Sequence, residues 1–128
     1  MSPQNPRPTE AELEILSVLW ELGPATVRQV HTELSKQRDV GYTTVLKLMQ
    51  IMTDKGLLKR NASQRSHIYQ VKQKQASTQR QLVKDLMLRA FGGSTEKLVM
   101  QALASKKAKP EEIAEIRRML DDIDGGKK

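Results

Sequence analysis

Two threonine capping boxes at the start of the chain cut it into short helices before any other feature is considered. In Thr9-Glu10-Ala11-Glu12 the Thr9 hydroxyl can accept the Glu12 amide while the Glu12 carboxylate reaches back to the Thr9 amide, and Thr26-Val27-Arg28-Gln29 repeats the device. Apolar residues at helical spacing accompany each box: Leu13, Leu16, Leu19 and Trp20 with the first, Val27, Val30 and Leu34 with the second. Gly23-Pro24 stops the first helix, and the second is expected to end near Gln37. Gly41 marks a turn, after which Val45, Leu48, Met49 and Met52 give a third stripe, closed by the basic Lys55 and the terminating Gly56.

Leu57 to Arg60 and His67 to Val71 then flank the polar stretch Asn61 to Ser66, and the second run alternates apolar with polar residues, which predicts a two-stranded hairpin. Three helices with a tight turn between the second and third, followed by a hairpin, make a winged helix-turn-helix. Beyond Gln75 the pattern is helical again, with Leu82, Val83, Leu86, Met87, Ala90 and Phe91 along one side until Gly92-Gly93 breaks the run. Ser94 can cap a fifth helix carrying Leu98, Val99, Ala102 and Leu103. Pro110 opens a sixth, with Ile113, Ile116, Leu120 and Ile123 behind the favourable first-turn acids Glu111 and Glu112.

The expected fold is therefore mainly α: a winged-helix domain over residues 1–74, a helical dimerisation domain over 75–124 and a disordered tail over 125–128. Three short helices bury too little surface to offset chain entropy, so a second copy is the expected cover. The surface it would cover comprises Leu82, Leu86, Phe91, Leu98, Leu103, Ile113, Ile116 and Leu120.

A length of 128 residues is too short for a barrel or a dinucleotide-binding enzyme. The absence of cysteine excludes disulfides, thiolate zinc sites and cysteine nucleophiles, and fits a reducing cytoplasm. No apolar run approaches the roughly 20 residues of a membrane span, and Met1 to Pro8 lack the apolar stretch of a signal peptide. The expectation is a soluble cytoplasmic protein without membrane insertion.

Charge narrows the partner. The formal charge is +7, from 22 bases and 15 acids, and it is unevenly placed. Residues 1–25 carry a net −3, residues 26–74 a net +7 and residues 75–128 a net +3. The basic middle holds the third helix, where at about 100° per residue Thr43, Lys47, Gln50 and Asp54 share one face, with Thr44 on its border and the apolar stripe opposite. Threonine and lysine at a helix start suit a DNA major groove: hydroxyls and helix-end amides hold phosphate, lysine reaches guanine O6 or N7, and glutamine pairs with adenine. A solvated helix face is the plain alternative for such a stripe, and the basic segment and adjacent hairpin tip the balance to DNA. Thr43, Thr44, Lys47 and Gln50 are the expected base-reading residues, with Tyr42 orienting the helix start. Arg28, Lys55, Arg60 and Arg65 are expected to hold phosphate or enter the minor groove. Asp54 lies too far along the stripe to be included.

Several stretches resemble the BlaI/MecI family of bacterial repressors. They are Thr9-Glu10-Ala11-Glu12 with Val18-Leu19-Trp20, Gly23 to Arg28, Tyr42 to Leu46, Lys55-Gly56-Leu57, and Arg65 to Tyr69. The resemblance implies a homodimer with its winged helices on operator DNA and its C-terminal helices interlocked. It also implies, for the members governing β-lactam resistance, a sensor-protease system that leads to cleavage of an Asn-Phe bond in the fifth helix, a place held here by Gln101-Ala102. The copper-responsive relatives sense metal through a cysteine cluster, which this chain lacks. At the wing tip Gln64 stands where the family usually has glycine, beside a retained Arg65.

Readings as an enzyme are weak. Ser94-Thr95-Glu96-Lys97 matches the S-x-x-K element of penicillin-binding enzymes, but the partner motifs are missing. His31 and His67 have no acids at ligand spacing, and Asp121, Asp122 and Asp124 lack the glycine and closing glutamate of a calcium loop. Neither an active site nor a metal or other cofactor is expected. The leading expectation is a homodimeric, sequence-specific repressor that occludes a promoter at a pseudo-palindromic operator. The rivals are a nonspecific architectural DNA binder and a winged-helix adaptor for a protein partner.

Overall fold

The computed structural model describes residues 7–63, 65–105 and 107–125. Gln64 and residues 126–128 of the expected tail lie outside the described residues.

Both capping boxes close. α1 (Glu10–Leu22) begins with the Glu12 amide donating to Thr9 Oγ1 at 3.2 Å and the Thr9 amide donating to Glu12 Oε1 at 2.9 Å. α2 (Val27–Ser35) begins with the Thr26 amide donating to Gln29 Oε1 at 2.8 Å and the Gln29 amide to Thr26 Oγ1 at 3.2 Å. A cap of this type contributes about 1 kcal/mol. α2 stops at Ser35, short of Gln37, because the Lys36 and Gln37 amides tighten to the carbonyls of Glu33 and Leu34. α3 (Tyr42–Lys55) ends at Gly56, whose φ of 87° is left-handed. A Cβ at Gly56 would meet nothing within 4 Å, so backbone conformation alone favours glycine there.

β1 (Leu58–Asn61) pairs antiparallel with β2 (Ile68–Val71) in the register Leu58 to Val71 and Asn61 to Ile68. Asn61 thus belongs to a strand, while His67 falls in the loop. Tyr69 also exchanges both backbone hydrogen bonds with Ala25, at 2.8 and 3.0 Å, so the α1–α2 turn is tied to the hairpin from its other side.

These elements enclose one core, formed by Ile15, Leu16 and Leu19 of α1, Val30 and Leu34 of α2, Val45, Met49 and Met52 of α3, and Leu57, Leu58 and Tyr69 from the wing. On α1 the buried stripe runs through Ile15, Leu16, Val18 and Leu19, with Leu13 and Trp20 only partly buried. The stripe is rotated from the expected one because α1 packs against α2, α3 and β2 together. Burying each large apolar side chain here contributes roughly 1.5–3 kcal/mol.

Glu12 is the charged residue in this core, 2% exposed, and it accepts from Lys55 Nζ at 2.6 Å. Burial pushes its carboxyl pKa up. The hydrogen bonds from Lys55 and Thr9 and the lysine charge outweigh that, so the net direction is downward. One side chain thus closes the first capping box and fastens the start of α1 to the end of α3.

The remaining helices are α4 (Gln75–Ala90), α5 (Thr95–Ser105) and α6 (Pro110–Gly125). The chain forms two compact units, Met1–Leu82 and Val83–Lys128, and the division falls within α4. In the second unit Gly92 and Gly93 both have positive φ, and the Gly93 amide reaches the Met87 carbonyl at 2.9 Å. Ser94 Oγ accepts the Lys97 amide at 3.1 Å, which gives Ser94 the capping role expected of it. α6 runs through Gly125, one residue beyond the expected end of the helical region. No residue of α5 or α6 is buried.

The Glu12 to Lys55 contact generates a test with a defined sign. Removing one partner of a fully buried pair costs about 3–5 kcal/mol, and the one-third exposure of Lys55 lowers the expectation for Lys55→Ala to about 2 kcal/mol at pH 7. Because the folded pKa of Glu12 is depressed, the stabilisation is complete above the ordinary value of 4.5 and is lost as pH falls through the folded value. Urea unfolding should therefore show the gap between the native chain and Lys55→Ala narrowing from pH 7 to pH 3. An equal gap at both would remove Glu12 as the cause.

Candidate nucleic-acid interface

Because α3 gives Val45, Met49 and Met52 to the core, each 0% exposed, its opposite face is fixed in position and open. Thr43, Thr44, Lys47 and Gln50 are all exposed on it, as is Asp54 nearer the C-terminal end. Gly41 starts the helix without a side-chain cap. Tyr42, in the first turn, is 45% exposed. Ile51, which the periodicity of the sequence left unassigned, is 39% exposed on the Thr44 side of the stripe and offers the kind of apolar contact that suits a thymine methyl group.

The basic middle of the chain separates into paired and unpaired cations. Lys36 bonds Glu33 at 3.0 Å, Arg38 bonds Glu14 at 2.8 Å and Lys55 bonds Glu12. The hydrogen bond and charge of Glu14 raise the Arg38 pKa further. Among the described residues Arg28, Lys47, Lys59, Arg60, Arg65 and Lys72 form no ion pair. The internal acids thus neutralise bases away from the α3 face and leave those near it uncompensated.

Three of the expected site residues meet across one cleft. Arg28 in the first turn of α2, Tyr42 at the start of α3 and Arg65 in the wing loop line a depression of about 300 Å³ whose apolar lining includes Leu46 and Tyr69. His67 joins them, a residue whose sequence spacing offers it no metal-ligand partner. Arg60 is exposed on β1, opposite Tyr69 in the strand register. Lys55 lies at the far end of α3 and is held by Glu12, which gives it a structural partner where a phosphate contact was expected. Glu12 is distant from Lys55 in sequence, so no local spacing rule could have revealed the pair.

The expected interface residues of the C-terminal helices are all accessible. Leu86, Leu103 and Leu120 are 48%, 41% and 59% exposed, and Leu82, Phe91, Leu98, Ile113 and Ile116 are half-buried. No group of three or more potential metal ligands occurs among the described residues, and no described helix is long and apolar enough to cross a membrane.

Comparison with known proteins agrees with this architecture. The family described as Penicillinase repressor matches residues 8–122. The penicillinase repressor of Staphylococcus aureus is 23% identical over 113 residues, covering 88% of this chain and 90% of that protein. The transcriptional regulator BlaI of Mycobacterium tuberculosis is 39% identical over 61 residues, 47% of this chain and 44% of that protein. Among solved structures, the monomeric form of Bacillus licheniformis BlaI in complex with the blaP half-operator aligns with a TM-score of 0.51 at 25% identity, over 57% of this chain and 89% of that one. With an open α3 face, a wing and a family match over nearly its whole length, the chain belongs to the penicillinase repressor family, the BlaI/MecI family of DNA-binding transcriptional regulators.

Proposed function

We propose that this chain is a homodimeric, sequence-specific repressor that acts in the cytoplasm by occupying a pseudo-palindromic operator and occluding a promoter. The observation that carries the proposal is the uncommitted face of α3, whose Thr43, Thr44, Lys47 and Gln50 are exposed beside cations that form no ion pair among the described residues. On this reading those four residues meet base edges, and Arg28, Arg60 and Arg65 hold the backbone. Repression needs no chemistry beyond occupancy.

The dimer is inferred from the second unit. Val83, Leu86, Leu88, Met100, Leu103, Met119, Leu120 and Ile123 each expose more than two-fifths of their surface, which is more apolar area than an isolated helical unit leaves in water. A second copy supplies the matching surface by two-fold symmetry, and it sets the spacing of two α3 helices on successive major grooves. Release from DNA through a sensor-protease system would act on α5, where Gln101 and Ala102 are exposed.

Two measurements test this reading. Duplexes enriched from a random-sequence pool by the native chain provide the probe. Lys47→Ala should bind the enriched duplex more weakly by about 1–3 kcal/mol and relax the preference at one base position, whereas Arg65→Ala should weaken all duplexes alike and lower the salt slope by about one. A native chain that binds enriched and random duplexes equally would favour an architectural binder, and no salt-dependent binding would favour a protein adaptor. In sedimentation the native chain should run at twice its 14.5 kDa mass, and Leu86→Asp with Leu120→Asp should return it to the monomer. A native monomer at every concentration would refute the dimer.

A further inference from the structure

The turn between α2 and α3 is braced by a side chain outside the face just described. His31, in α2, has its Nε2 2.8 Å from the carbonyl oxygen of Val40, and because a carbonyl only accepts, the proton sits on Nε2. Ser35 Oγ lies 3.2 Å from the same nitrogen, and the imidazole meets the ring of Tyr42 edge to face, with centroids 5.7 Å apart and planes at 82°. His31 is thus half-buried between one helix of the motif and the residues that launch the other. Val40 and Gly41 precede α3, and no side chain caps that helix.

We infer that His31 is a positioning residue for DNA recognition: its bond to Val40 and its contact with Tyr42 set where the first turn of α3, and so Thr43 and Thr44, stands relative to α2. The inference rests on the DNA-binding reading above. Its physical basis is that base readout demands a helix start placed within a fraction of an ångström, while phosphate attraction tolerates a looser one. Loss of the brace therefore costs discrimination and spares nonspecific affinity.

Two variants separate the parts of the brace. His31→Phe keeps a ring against Tyr42 and removes the donor, whereas His31→Gln keeps an amide N–H able to reach Val40 and removes the ring. With full-length chain and duplexes enriched by the native protein, His31→Phe should lose about tenfold in the affinity ratio of enriched over random duplex, the net worth of one hydrogen bond, and His31→Ala, which also loses the ring contact, should lose more. Random-duplex affinity and salt slope should stay unchanged, and His31→Gln should recover most of the ratio. Should His31→Ala fail to fold, the other two carry the test, with thermal unfolding recorded for each. An unchanged ratio in His31→Phe, a His31→Gln as impaired as His31→Phe, or enriched and random affinities that fall together would overturn the positioning role while leaving DNA binding intact. A native chain that enriches no sequence would overturn the DNA-binding reading and this inference with it.

Discussion

A helix whose fully buried apolar residues all fall on one side has a single way to dock, and α3 is fixed by that constraint. Val45, Met49 and Met52 lie fully inside the core, so at 3.6 residues per turn Thr43, Lys47 and Gln50 must face away from it. Everything that places this face contributes to the same end. The Glu12 to Lys55 pair fixes the far end of α3 to α1, Gly56 turns the chain into the wing, and the Ala25 to Tyr69 bridge holds the wing against the α1–α2 turn. The placement of this exposed face is in this sense a by-product of core packing.

Electrostatics adds a sorting of charge. A formal excess of positive charge is a weak indication of a partner, since a solubilising surface carries one too. Its distribution is more informative: Glu14 and Glu33 neutralise bases beyond the helix-turn-helix face, while Arg28 and Arg65 face a shared cleft without an acid opposite. Arg28 and Arg65 thereby present uncompensated charge to the cleft at the start of α3.

Much of this was legible in the sequence because it depends on local rules. Both capping boxes, the Gly56 terminator and the polar stripe of α3 are encoded within a few residues of where they act. The less legible features join segments far apart in the chain. Lys55 reads as a free cation until Glu12 is found beside it, and the meeting of Arg28, Tyr42, Arg65 and His67 depends on how α2, α3 and the wing pack. The α1 stripe was misread by part of a turn for the same reason: three partners, and not one, decide which of its apolar residues are covered. His31 showed no local motif at all, because its partner is a backbone carbonyl in the following turn.

The two units have contrasting surfaces. The first covers its own core, while no residue of α5 or α6 is fully buried, and in the proposed dimer a second copy completes the latter. That division leaves one claim on which the account turns, namely that the exposed side of α3 is the part of the molecule that meets DNA. The most direct test is a nuclear magnetic resonance titration of the isotope-labelled full chain with a duplex it enriches. The account predicts that the largest amide shifts fall between Thr43 and Gln50, with smaller ones near Arg28 and Arg65. Shifts confined to α4 through α6, or to the outer side of α1, would contradict it.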